Sequence, residues 1–192
     1  MKGVVFNLLE GVVGRHYGPD VWDDLLDAAG LSGSYTSLGS YPDDDIERLV
    51  AAAASALSLT RADVLKWFGA EAMADLAKIY PVFFEAHSTT RPFILSVNSI
   101  IHPEVRKLYA GAGCPHFLFS EHEGALVMEY HSPRQLCALV EGFAQGASNH
   151  YGETLSFEHH RCVERGDKNC VFHLRWPKMA QSDAKAELAV AD

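Results

Sequence analysis

The chain has 192 residues, 48% of them hydrophobic and 21% charged, which allows one well-buried core and excludes the disordered and membrane-spanning classes. A formal charge of -9 works against nucleic acid as a partner, because that affinity rests on Lys and Arg neutralising phosphates. No basic-then-apolar leader opens the chain, and Gly, Pro or charge interrupts every apolar run. We therefore expect no membrane insertion and read a soluble cytoplasmic protein whose four cysteines stay reduced.

Apolar residues at three- and four-residue steps over 4–13 predict a first helix, which Tyr17-Gly18-Pro19 ends. Asp20 opens a second, with Gly30 placed to cap its far end. Tyr41-Pro42 and three aspartates start a third, running through the alanines to Leu57, and Thr60 can cap a fourth that carries Trp67 and Phe68. Residues 80–98 read as helical with a break near Arg91-Pro92, and Pro103 suits the first position of a further helix with His102 at its start.

Beyond residue 116 the period changes to alternation. Phe117-Leu118-Phe119 and residues 126–130 flank a polar Glu-His-Glu-Gly turn, which reads as a hairpin. A helix follows over 134–150, with Leu136, Leu139, Val140, Phe143 and Ala147 on one side, and then strands over 154–159 and 170–176. The expected fold is α+β in a single domain over 1–176: a helical lobe over about 1–60, then an antiparallel sheet crossed by helices. Residues 177–192 read as a tail.

Tyr130, Ser132 and Arg134 stand at alternate positions, so on an extended chain two hydroxyls and a planar guanidinium share one face. That set suits a carboxylate or phosphate. The same spacing fits an edge strand whose polar face meets water. His102, after an apolar approach, is a candidate ligand, and equally a helix cap or packed residue. Cys137, His159, Cys162 and Cys170 converge in the expected topology as three thiolates and one imidazole, the closed set of a structural zinc. Read otherwise, they are small buried hydrophobes. His160 competes with His159 for the metal, and Cys114 stands outside the cluster as a packing residue.

Four segments together resemble the haem nitric oxide/oxygen-binding (H-NOX) domains, relatives of the haem domain of soluble guanylate cyclase. These are the opening Met-Lys-Gly-Val-Val-Phe-Asn-Leu-Leu-Glu, Tyr17-Gly18-x-x-x-Trp22, His102-Pro103-Glu104-Val105-Arg106-Lys107-Leu108-Tyr109, and Tyr130-x-Ser132-x-Arg134. The resemblance spans residues 1 to about 176 and implies haem b between the lobes. His102 would be the single axial iron ligand, and Tyr130, Ser132 and Arg134 would grip the propionates. Val5, Leu9, Pro115, Leu139 and Phe143 would line the pocket.

Oxygen-binding members carry a tyrosine five residues after the clamp arginine, and Leu139 stands there. Nitric oxide and carbon monoxide are the gases expected, since bound oxygen needs a distal donor that they do not. Asn7, Trp67, Tyr80 and Asn149 remain open as other donors. Some bacterial members hold zinc at the matching cysteine and histidine positions. The sequence carries no phosphate loop or nucleophile elbow, so we expect a stand-alone sensor and no enzyme. The partner implied is a histidine kinase or a cyclic-dinucleotide cyclase or phosphodiesterase. A haem-free interaction module, or a purely redox-sensing regulator, is the alternative.

Overall fold

In a computed structural model the chain is described over residues 1–177, so the tail expected beyond that point lies outside the described residues. The helices are α1 (Gly3–Tyr17), α2 (Pro19–Ala29), α3 (Asp43–Leu57), α4 (Arg61–Ile79), α5 (Pro81–Glu85), α6 (Thr90–Ser96), α7 (His102–Leu108) and α8 (Cys137–His150). The strands β1 (His116–His122), β2 (Ala125–His131), β3 (Ser156–Arg161) and β4 (Cys170–Arg175) form one antiparallel sheet in the order β1-β2-β4-β3.

The signals that set these boundaries are local. Gly30 takes the left-handed conformation (φ 63°), and the bonds from Gly30 N to Asp27 O and Leu31 N to Leu26 O close α2 in a Schellman motif. Thr60 Oγ1 accepts from the Asp63 amide and caps α4. Glu123 and Gly124 both have positive φ, the two-residue turn that matches strand twist in the β1–β2 hairpin.

Two buried clusters share α8 as a common wall. The helical lobe packs Phe6, Leu9, Val12, Trp22, Ile46, Leu49, Leu65 and Phe68, and Leu139 of α8 joins it. The second cluster joins Phe84, Phe93 and Ile94 to Leu126, Met128, Phe172 and Leu174 of the sheet, with Ala144 and Ala147 of α8. Glycines let α4 and α8 touch at the backbone. A Cβ added at Gly69 would lie 2.8 Å from Leu139 O, at Gly142 2.3 Å from Lys66 O, and at Gly146 2.5 Å from Ala70 O.

Three expectations need correction. The break in the 80–98 segment falls between α5 and α6, and Pro92 lies inside the first turn of α6, where its missing N–H has no intrahelical partner to lose. The helix expected from residue 134 begins at Cys137, since residues 132–136 form a loop. His102 does not open a free helix: a π-helical turn, Val97–Ile101, runs directly into it, with the His102 amide bonded to Val97 O. In a regular helix the Pro103 ring would strike the carbonyl of Ser99, and widening the preceding turn relieves that clash.

Candidate functional site

A cavity of about 360 Å³ lies between the lobes. Its walls include Val4, Val5 and Leu8 of α1, Met73 and Leu76 of α4, and Leu139, Val140, Phe143, Ala144 and Ala147 of α8. His102, Pro115, Tyr130, Ser132 and Arg134 line it as well, so the residues expected to hold the haem share one space, apart from Leu9. Leu9 is 3% exposed in the helical lobe, and Leu8 takes the cavity position. With 100° between successive helix residues, Val4, Val5 and Leu8 present one edge while Leu9 turns inward.

The His102 Nδ1 is buried and meets no hydrogen-bond partner among the described residues. Burial pushes its pKa down to about 4; the nearby Arg106 charge acts in the same direction, and the Pro115 carbonyl opposes it. The ring is therefore neutral at pH 7, the form in which imidazole binds a metal. The Phe117 ring lies stacked beside it, centroids 6.1 Å apart.

Tyr130 is near the end of β2, but Ser132 and Arg134 sit on the following loop, so the expected strand periodicity is not what brings them together. A local turn does this. The Arg134 amide donates to Ser132 Oγ at 3.1 Å, and the Tyr130 hydroxyl donates to the Arg134 carbonyl at 3.0 Å. The guanidinium is aimed by distant groups: Nε donates to Asp43 Oδ2 at 2.8 Å and Nη1 to Gly113 O at 2.6 Å. Among the described residues no acceptor meets Nη2. Asp43 in turn accepts from the N-terminal ammonium at 2.6 Å, so the chain start, α3 and the clamp share one carboxylate.

The wall formed by α1, α4 and α8 is apolar. Of the four other donors considered, Asn7 faces Ser37, Tyr35 and Gly3, Trp67 packs against His16 and Tyr17, and Asn149 is exposed beside Gln145. Tyr80 does line the cavity, and its hydroxyl is paired with that of Tyr109. This pairing was missed from sequence, as were the roles of Asp43 and Gly113. Asp43 carried only a helix-start signal, and nothing local marks a partner 91 positions away.

A second group of donors lies behind the clamp. The ligand atoms of Cys137, His159, Cys162 and Cys170 all fall within 4.8 Å of one another. Cys137 Sγ and Cys162 Sγ are 3.7 Å apart, and the Val163 amide donates to Cys170 Sγ. Among the described residues, His159 Nε2 is buried without a partner. Burial pushes the Cys137 and Cys170 thiols up, so both are protonated until a metal displaces the proton. Three sulfurs and one orphaned nitrogen fit a tetrahedral zinc. His160 points away, toward Glu158 and His173, and Cys114 lines the cavity instead.

A largely apolar cavity lined by a neutral imidazole with a buried, orphaned Nδ1 and by a guanidinium has the chemistry of a pocket for a prosthetic group such as haem. The Haem-NO-binding family model matches residues 2–159, and the chain belongs to that family. Solved structures agree. An H-NOX protein from S. oneidensis in the Fe(II)NO ligation state is 28% identical, with TM-score 0.86 over 92% of this chain and 99% of that one. An H-NOX domain from Shewanella oneidensis in the Fe(II)CO ligation state, solved by NMR, is also 28% identical, with TM-score 0.84 over 93% of this chain and 99% of the other. The Fe(II) unliganded H-NOX protein from K. algicida, at 23% identity and TM-score 0.82 over 92% and 96% of the two chains, shares the fold.

Proposed function

We propose that the protein is a haem-based sensor of nitric oxide, with carbon monoxide as a second ligand, and that it signals to a partner by moving the helix that carries His102. The observation that carries this reading is a neutral His102 ring whose buried Nδ1 has no partner among the described residues, in a largely apolar cavity. Haem, when bound, supplies a ferrous iron with one open position for a diatomic gas. His102 would hold that iron. Arg134, through its free Nη2, and the Ser132 hydroxyl would bind the propionates, while Tyr130 braces the loop that presents them. The apolar wall of α1 and α8, with Leu139 in it, offers no donor to stabilise oxygen. Loss of the His102–iron bond on nitric oxide binding would release α7, the element biased by the gas.

Zinc at Cys137, His159, Cys162 and Cys170 would tie the start of α8 to the last hairpin. Oxidation of its thiolates would give a second input. The partner suggested by the family resemblance is a histidine kinase or a cyclic-dinucleotide enzyme, the protein itself being no enzyme.

Purified protein should show a Soret band, and the ferrous form should bind nitric oxide and carbon monoxide but form no stable complex in air. His102→Ala should abolish the native ferrous spectrum. A protein without a Soret band after reconstitution, or a His102→Ala spectrum like the parent's, overturns the reading and leaves a haem-free interaction module or redox regulator. A persistent complex in air would overturn the gas preference alone.

A further inference from the structure

We propose that Tyr80 and Tyr109 form a hydroxyl latch that holds the far end of α7, making them positioning residues for His102; the inference rests on the haem reading above. No residue of the π turn or of α7 is fully buried, and among them it is Val97 and Ile101, both in the π turn, that pack against the second cluster, so α7 itself adds little to that packing. Beyond that contact, polar ties hold the run at its two ends. At the first, the Asn98 carboxamide donates to Phe117 O and accepts from Phe117 N. β1 is an edge strand, and Phe117 presents to Asn98 the pair of backbone groups that β2 leaves free.

At the second end Tyr109, the residue that closes α7, is 9% exposed and shares a hydrogen bond with Tyr80 at the corner between α4 and α5. Tyr109 follows His102 by two helical turns, and both line the cavity, so the latch and the ligand lie on one side of the helix. Burial, reinforced by Tyr109, pushes the Tyr80 phenol up, so it stays a neutral donor or acceptor at any working pH. If the Tyr80–Tyr109 bond opens, α7 keeps its Asn98 anchor and its chain connection but loses its distal tie. His102 then sits on a lever fixed at one end.

Tyr80→Phe, Tyr109→Phe and the double variant test this, because each keeps the ring and removes one hydroxyl. In haem-free protein, amide hydrogen exchange over 102–109 should quicken about five- to tenfold, as expected for the loss of one net hydrogen bond. In reconstituted ferrous protein the His102–iron stretching band should shift, and a smaller fraction should retain His102 on iron after nitric oxide is added. The double variant should match the singles, since all three break one bond. Unchanged exchange and an unchanged band in both singles would overturn the latch, as would additive effects or faster exchange spread through α1–α4. Failure to take up haem would sink the haem reading while the exchange result still decides the latch.

Discussion

His159 and His160 are neighbours that face opposite ways. His159 turns to the three cysteines, while His160 stacks on His173 with ring centroids 3.7 Å apart and meets Glu158 at 3.1 Å. Strand alternation explains the choice that composition left open. Metal analysis of reduced, zinc-replete protein should find about one zinc per chain, lost in Cys162→Ser and in His159→Ala but kept in His160→Ala. Zinc retained by His159→Ala and lost by His160→Ala would reverse the assignment. The raised Cys137 and Cys170 thiols add a pH sign: protons compete with zinc, so affinity should fall as pH is lowered.

Among the elements, the α4–α8 pair shows what periodicity does not disclose. Apolar spacing marked one side of α8, yet the contact with α4 depends on residues without side chains. Gly142→Ala would gain helix propensity of about 1 kcal/mol but places a methyl group 2.3 Å from Lys66 O, and overpacking costs about 1–3 kcal/mol. A net loss of up to about 2 kcal/mol is expected, read as a lower urea midpoint. A higher midpoint would mean that the helices can part without strain. Since α8 walls both clusters, the same variant should also perturb the cavity lined by Leu139 and Phe143.

Across the whole molecule, Asp43 joins the N-terminus and α3 to the clamp loop, and Asp75 joins α4 to Arg15 of α1. Burial alone would raise the Asp43 carboxyl, but hydrogen bonds from the N-terminal ammonium and Arg134 outweigh it and hold it below the usual range. A depressed folded pKa contributes stability above the unfolded value of about 4, and that stability is lost as pH falls through the folded value. Asp43→Asn should therefore be less stable than the parent at pH 6, and the two should converge in thermal melts as the pH falls through the folded carboxyl's depressed value. Parallel curves at all pH values would remove Asp43 from the acid response. Because Asp43 is partly exposed, the difference should shrink in high salt.

Local rules in the sequence determined much of this protein. Caps at Gly30 and Thr60, the change from helical to alternating period after residue 116 and the hairpin at Glu123-Gly124 each depend on near neighbours. His102 and the Tyr-x-Ser-x-Arg residues, expected together because both are short motifs in a recognisable order, line one cavity. Only the tertiary structure decided that Leu8 rather than Leu9 faces the cavity, and that a π turn precedes His102. It also paired Tyr80 with Tyr109 and aimed Arg134 through Asp43. These outcomes depend on how whole elements rotate and approach. A helix's apolar residues show that it has a buried side, but which residue meets which partner depends on backbone contacts far away in sequence.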